Sequence, residues 1–279
     1  MRKIKISKYF LLVILALITT SLNAAPSAQL WGYWDKSDQS SQAKIDFKPW
    51  QDFLDKYVVQ KGNQTFVNYS AVSKKDKQIL NKAINTYSKL NILKYNKNQQ
   101  LAYWINMYNM LTIRVILQYY PVKSITDIDK SWFGYSKVWD QKVIKIDSKE
   151  LTLNDIEHRI IRPIWHDPRV HSAVNCASIS CPNLSKEAYQ GNQINAQLDK
   201  SFATWINSSK GFELKDNNIY ISKIFDWYGS DFGDQAQMRQ FIAKYLITKT
   251  KKEAILNENK TIYYQNYNWN LNQLPIYEK

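Results

Sequence analysis

Residues 99–120 read QQLAYWINMYNMLTIRVILQYY, and this stretch decides the fold. Its apolar side chains recur at helical spacing and are too numerous for a helix that faces water. The helix should end before Pro121, because a proline cannot continue it. The sequence therefore predicts a buried central helix against which the rest of the domain packs.

Further helices and a few short strands are predicted around this central helix. Helical periodicity covers residues 46–59, 75–90, 154–161, 193–205 and 235–246. Strand-like runs are shorter and comprise 65–67, 170–174, 219–221 and a hairpin within 137–146 that turns at Asp140-Gln141. We expect Asn154 to cap its helix and Pro163 to end it. The predicted fold class is α+β, a mainly helical single domain with short strands.

The N-terminal residues have the order of a secretory signal peptide. Four cations within the first eight residues precede an apolar run at 9–18, and small residues follow up to Ala25. The run is too short to span a bilayer, so cleavage is expected, with an uncleaved anchor as the alternative. We therefore expect a signal peptide at 1–25, a polar segment at 26–45 and one globular domain at 46–279. The processed chain should be periplasmic or secreted and have no membrane span.

The charge of the chain is basic but scattered. The formal net charge is +14 at pH 7, and it falls to +10 without the four cations of the first 25 residues. Such a surface suits an anionic envelope component, or it is simply a solvated lysine surface. An export signal argues against a nucleic-acid partner. No glycine-rich phosphate loop occurs, so no nucleotide cofactor is expected.

The residues with the richest chemistry gather at 158–181. This window holds all three histidines, three of the six arginines and both cysteines: His158, His166, His171, Arg159, Arg162, Arg169, Cys176 and Cys181. Arginine offers a rigid fork that binds a carboxylate or another anion with two hydrogen bonds, which lysine cannot do. The cluster indicates either an anion-binding site or a buried arginine–carboxylate network with Glu157 and Asp167.

Asn106 and Asn109 are unusual within the apolar helix. A buried amide needs hydrogen-bond partners, so each side chain either braces the backbone of a neighbouring loop or lines a pocket. Bracing is the more frequent use of buried amides. We expect residues 154–161 and 167–182 to meet this asparagine face, because they are the richest supply of polar partners.

Four motifs follow one another along the chain. They are AYWINMYNMLTI at 102–113, IEH and IR at 156–162, DPRVHSAVNCASISCP at 167–182, and DWY and DFG at 226–233. Together they resemble the domain-of-unknown-function 547 family over residues 46–246. One departure is Ala177, where the family usually has glycine. The resemblance implies the domain and leaves its activity open.

Thiol catalysis is the first chemistry that these residues could perform. It needs a thiolate, a base and an orienting partner. Candidates for the three roles are Cys176 or Cys181, His171 or His158, and Asp231 or Glu157. The candidate binding residues beside them are Asn106, Asn109, Arg162, Arg169 and Asn175.

Two other uses of the cysteines are open. His158, His171, Cys176 and Cys181 are ligand types that zinc accepts, but their spacing matches no standard zinc pattern, and no metal is expected. A Cys176–Cys181 disulfide is the simplest account in an oxidising compartment.

Two function classes follow from these alternatives. The first is an envelope hydrolase that cleaves an amide or ester with a His/Cys/acid site. The second is a non-catalytic binding module, in which the Arg/His cluster recognises an anionic ligand and the disulfide is structural. The hydrolase is favoured if His171, the cysteine sulfurs and Asp231 line one open pocket.

Overall fold

The computed structural model describes residues 25–130 and 136–274. The predicted signal peptide therefore lies outside the described residues except for Ala25. The helices are α1 Lys48–Tyr57, α2 Lys74–Tyr87, α3 Lys97–Tyr119, α4 Arg162–Trp165, α5 Ile194–Ile206, α6 Ile224–Trp227, α7 Gln235–Tyr245 and α8 Lys249–Leu256. The strands are β1 Val58–Lys61, β2 Gln64–Val67, β3 Ile144–Ile146, β4 Lys149–Leu151, β5 Phe212–Lys215, β6 Asn218–Ile221 and β7 Ile262–Tyr264.

The strands form three small sheets within a mainly helical fold. β1 pairs with β2 and β3 with β4, both antiparallel, and β6 lies between antiparallel β5 and parallel β7. The α+β, mainly helical class predicted from the sequence is confirmed.

Helix α3 is the buried centre of the fold. Asn96 caps its first turn by accepting a hydrogen bond from the Gln99 amide at 3.0 Å, and the helix ends before Pro121 as predicted. Trp104 is 1 % exposed and packs edge-to-face against Trp34, with ring centroids 5.1 Å apart. In the described ranges no helix is long and apolar enough to cross a membrane.

Buried hydrophobic side chains form two clusters that meet along α5. The larger cluster surrounds α3 and includes Leu198 of α5. The smaller cluster takes Phe202 from the next turn of α5 and packs it against α7 and the sheet of β5 and β6. Because α5 contributes to both clusters, it positions the C-terminal part of the chain against the α3 region.

The hairpin predicted within 137–146 is wrong. Val138 is buried in a short 3-10 turn, and β3 pairs instead with β4, with Ile146 opposite Lys149. The connecting residues Asp147 and Ser148 both have positive φ, 45° and 62°. Two left-handed residues form the type of turn that matches strand twist, so the hairpin turns there rather than at Asp140-Gln141.

The predicted Asn154 cap and Pro163 stop are also wrong. The Thr152 amide donates to the Asp155 carboxylate at 3.0 Å, and the Asp155 amide donates to the Thr152 hydroxyl at 2.9 Å. This reciprocal capping means that the helix already begins before Asn154. It continues as a π-helix over Asp155–Ile161 and then as α4 through Pro163, until His166 adopts a left-handed conformation.

The short strand predicted at 170–174 is a 3-10 helix, Pro168–Ser172, in the structure. Pro168 begins this turn, and the side chain of Asp167 accepts a hydrogen bond from the Arg169 amide at 2.9 Å. A proline after a capping aspartate favours a helical turn over a strand, which outweighs the apolar character of the following residues.

Candidate functional site

A cavity of about 360 Å³ opens where the π-helix, the 171–181 loop and the C-terminal segments meet. Its described lining includes five of the six residues predicted as catalytic, all except Asp231, and a large share of aromatic rings. The lining residues are Ala25, Pro26, Tyr108, Ser136, Trp139, Asp140, Asn154, Glu157, His158, His171, Val174, Cys176, Cys181, Ile224, Trp227, Tyr228, Tyr267 and Trp269.

Asn109 holds the loop that carries the cysteines. Its Nδ2 donates to Ala173 O at 2.9 Å, and its Oδ1 accepts from the Asn175 amide at 2.9 Å. The buried Asn109 side chain therefore satisfies two backbone groups of the loop and places Cys176 beside the central helix. The predicted meeting of the asparagine face with segment 167–182 is confirmed.

Asn106 and Asn175 also brace backbone. Asn106 exchanges two hydrogen bonds with the main chain of Tyr189, at 2.8 Å and 3.0 Å. Asn175 donates to Pro182 O at 2.7 Å and accepts from the Ala177 amide at 2.9 Å, which closes the loop around the cysteines. None of the three asparagines is among the described lining residues, and the structure shows each of them bracing backbone groups.

Ala177 explains the glycine that the resemblance led us to expect. Its φ is 60°, in the left-handed region where glycine is favoured and alanine is strained. The side chain is buried. The turn after Cys176 is therefore kept in a conformation that suits glycine, although a methyl group is present.

His171 and Arg162 both bind the carboxylate of Asp231. His171 Nε2 lies 2.8 Å from Asp231 Oδ2, and Arg162 donates to the two carboxylate oxygens from Nε and Nη2 at 2.6 Å and 2.8 Å. Burial acts to raise the pKa of Asp231, but the hydrogen bonds from His171 and Arg162 outweigh it and hold the pKa well below its usual range. Because the carboxylate only accepts, Nε2 of His171 carries a proton.

This bond leaves Nδ1 of His171 as the nitrogen that can exchange a proton. In the described part of the chain Nδ1 has no hydrogen-bond partner, while the ring packs on Tyr228 with centroids 4.2 Å apart. A histidine oriented by a buried aspartate through one nitrogen is the base arrangement used with nucleophilic side chains.

His158 is held as a neutral donor. Its Nδ1 lies 2.9 Å from Arg162 Nη1. Because arginine only donates, Nδ1 must accept, and the ring proton resides on Nε2. Burial is the main cause that lowers the pKa of His158, so the ring remains uncharged at neutral pH.

The two cysteines are free thiols, so the disulfide expected from the sequence is not present in the structure. The Cys176 amide donates to Cys181 Sγ at 3.1 Å, and Cys176 Sγ lies 3.2 Å from both Ser178 Oγ and Tyr267 Oη. Hydrogen bonds from Cys181 above all, and then from Ser178 and Tyr267, lower the pKa of Cys176 to about 7 against the effect of burial. Burial raises the pKa of Cys181 well above its usual value. The two thiols are thus chemically distinct.

Glu157 is a buried carboxylate at the cavity wall. Burial, and then the charge of nearby Glu157, raises the pKa of Tyr108 and Tyr228, so both hydroxyls keep their protons.

The guanidinium groups of Arg162 and Arg169, in the 158–181 window, are bonded to other groups of the protein. Arg169 bonds to Asp167, Asp199 and Asn195, and Arg162 Nη1 additionally donates to Pro26 O at 2.7 Å. Neither arginine is among the described lining residues, and His166 is exposed. An arginine–carboxylate network is observed, with Asp231, Asp167 and Asp199 as its acids. Of the two carboxylates expected in it, Asp167 takes part, and Glu157 forms no ion pair with either arginine in the described part of the chain. Within the described ranges no group of three or more acidic, histidine or cysteine side chains could hold a metal ion.

Three aromatic residues of the cavity wall, Trp227, Tyr267 and Trp269, were not predicted as site residues. Tyr267 lies 91 residues after Cys176 in the chain. Neither Tyr267 nor Trp269 belongs to one of the four motifs. Trp227 lies in the DWY motif, but a site role was predicted only for Asp231 of the DFG motif that follows it. The aromatic content of the C-terminal segment was the one available signal.

Comparison with known proteins identifies part of the chain. Residues 92–206 match the model of a family described as "Protein of unknown function, DUF547". No curated protein and no solved structure gives a significant match. The matched range ends with α5, so Asp231, Tyr228 and Tyr267 lie beyond it.

Proposed function

We propose that this chain, whose residues 92–206 match the DUF547 family model, is a thiol-dependent hydrolase of an amide or ester, with Cys176 as the nucleophile. One observation carries the proposal: Cys176 and an Asp231-bound His171 face the same open cavity. A reactive thiol and an oriented imidazole are the parts that acyl transfer requires.

The nucleophile is supported by its surroundings. With a pKa of about 7, Cys176 is substantially ionised at neutral pH. The thiolate is the attacking species in such reactions. Its partial exposure to the cavity gives a carbonyl group access to the sulfur. Cys181, whose pKa is raised by burial, acts as a hydrogen-bond donor to the Cys176 thiolate.

The proposed reaction moves one proton through His171. Cys176 gives its proton to Nδ1 of His171, and the sulfur attacks the carbonyl carbon. The leaving amine or alcohol takes that proton as the C–N or C–O bond breaks, which leaves a thioester on Cys176. Water then gives a proton to Nδ1 as its oxygen attacks the thioester, and the thiol is restored as the acid departs. Asp231 stabilises the imidazolium at both stages.

His158 supplies the proposed donor for the tetrahedral intermediate. Its Nε2 carries the ring proton because Arg162 occupies Nδ1, and its ring lines the cavity. A fixed neutral donor stabilises a developing oxyanion without any reorientation in the transition state.

The anion-recognition module has less support. The guanidinium groups of Arg162 and Arg169 are bonded to carboxylates and backbone oxygens, and neither is among the described lining residues. An anion would therefore have to displace existing bonds. The proposed setting remains the cell envelope, which is supported by the signal-like order of residues 1–25.

Acyl transfer to Cys176 tests the proposal. Protein incubated with p-nitrophenyl acetate should release nitrophenol and carry an acetyl group on the Cys176 peptide in mass spectra. Cys176→Ala should abolish the acetylation, and His171→Ala should slow the release of acetate. His166→Ala is the matched control, because His166 is exposed and is not among the described lining residues. Acetylation that is unaffected by Cys176→Ala would refute the proposal.

A further inference from the structure

Glu157 is a buried acidic side chain at the cavity wall. It is 6 % exposed and lines the cavity. In the described part of the chain no lysine, arginine or histidine nitrogen forms an ion pair with it, and its charge acts on the nearby hydroxyls of Tyr108 and Tyr228. A carboxylate has about four lone-pair positions, so acceptor capacity remains toward the cavity. A buried charge is stabilised when an opposite charge completes the site.

The rest of the cavity has the same electrostatic character. Among its described lining residues there is no lysine or arginine, and Asp140, bonded by Asn154 at 2.7 Å, adds a second carboxylate. This is unexpected in a chain whose net charge is +14. The cavity therefore attracts cations although the protein as a whole repels them.

Aromatic rings form one wall of the cavity. We call Trp139, Trp227, Tyr267 and Trp269 the aromatic wall. Trp269 is the shared member, with centroid distances of 5.7 Å to Trp139, 5.7 Å to Trp227 and 4.5 Å to Tyr267. The faces of such rings attract ammonium groups, and they also pack against the apolar carbons of a ligand. Tyr267 joins the wall to the nucleophile through its contact with Cys176 Sγ.

From these features we infer that the cavity takes a substrate bearing a protonated primary amine, which binds Glu157 while the carbon skeleton packs on the aromatic wall. That this ligand is a substrate rests on the proposed hydrolase function, whereas the binding of the amine does not depend on that function. The three N–H donors of a primary ammonium match the unused acceptor positions of Glu157. The scissile amide or ester then lies near the ammonium, within reach of Cys176.

Three ligands of matched shape and different charge test this inference. Phenethylammonium, 2-phenylethanol and phenylacetate are titrated into the full chain, with tryptophan fluorescence and protection of Cys176 from iodoacetamide as readouts. We expect phenethylammonium to bind roughly 10- to 100-fold more tightly than 2-phenylethanol, as a charge-assisted hydrogen bond implies, and phenylacetate to bind most weakly. Equal binding of all three ligands by the wild-type protein would overturn the inference.

Variants assign the selectivity to Glu157. Glu157→Gln should remove the preference for phenethylammonium, whereas Glu187→Gln should keep it, because Glu187 is exposed and paired with Lys200. An unchanged preference in Glu157→Gln would also overturn the inference. In Cys176→Ala, fluorescence should still report tight phenethylammonium binding, so a failed acetylation experiment and a failed binding experiment remain distinguishable.

Discussion

Asp231 Oδ2 lies 2.8 Å from Nε2 of His171, a residue 60 positions earlier in the chain. The same carboxylate binds the two arms of the Arg162 guanidinium, which is nearly inaccessible to solvent. One side chain thus orients the imidazole and neutralises a buried cation. Structural and chemical roles are combined in Asp231, and its substitution should affect both.

Asp231→Asn should lower the free energy of unfolding at neutral pH by about 3–5 kcal/mol, because it leaves the Arg162 charge buried without its counter-ion. The loss should shrink in acid. The pKa of Asp231 lies below the unfolded value of about 3.9, so its stabilisation is present above that pH and decreases as pH falls toward the folded pKa. Urea unfolding at several pH values measures the difference between wild type and variant. A difference that does not change between pH 7 and acid would contradict this account.

Cys181→Ala should raise the pKa of Cys176 from about 7. The hydrogen bond from Cys181 is the largest influence that stabilises the Cys176 thiolate, and its removal leaves burial less opposed. The rate of alkylation by iodoacetamide, measured against pH, should have its midpoint at higher pH in the variant. Ser185→Ala, in an exposed turn, should leave the midpoint where it is in the wild type. Identical midpoints in all three proteins would show that Cys181 does not activate the nucleophile.

Trp104→Ala should cost about 3–5 kcal/mol of stability, because it removes a large side chain at the centre of the α3 packing. Chemical denaturation monitored by circular dichroism provides the measurement. Ile79→Ala on α2 is the control and should change stability little, since Ile79 is 43 % exposed. A loss below about 1 kcal/mol for Trp104→Ala would be inconsistent with a central position.

Asn109→Ala should destabilise the protein by about 1–3 kcal/mol for each of the two backbone groups that lose their partner. These groups are Ala173 O and the Asn175 amide. Hydrogen exchange should increase most at residues 173–176, where the bracing is lost. Asn85→Ala, on the exposed face of α2, serves as the matched control. Faster exchange spread evenly over the chain would argue against a local brace.

Hydrophobic periodicity predicted the helices and strands that bury one face against the core. Helices α1, α2, α3, α5 and α7 and strands β2 and β6 agree with predicted elements, because a buried face leaves a regular apolar pattern. Helices α6 and α8 were not predicted. The failures lie where local polar bonds outweigh that pattern. Thr152 and Asp155 start a helix earlier than Asn154, and Pro168 turns an apolar run into a 3-10 helix.

The members of the site were easier to predict than their pairing. His171, Cys176 and Glu157 were identified from residue type and clustering, and Asp231 from the DFG motif that carries the family resemblance. That Asp231 binds His171 while Glu157 lies near two tyrosines depends on contacts between distant segments, which no spacing encodes. The redox state of the cysteines is a further example, because the same C-x4-C spacing suits a disulfide or two hydrogen-bonded thiols.

The family model matches the chain only as far as residue 206, and this boundary divides the residues that form the cavity. A gene fusion that carried residues 92–206 alone would transfer both cysteines and all three histidines, yet leave behind the carboxylate that orients His171 and the hydroxyl that contacts Cys176. It would also divide α5 from the smaller hydrophobic cluster that Phe202 enters. The segment that assembles the proposed site therefore extends at least to Trp269, well past the end of the range that matches the family model.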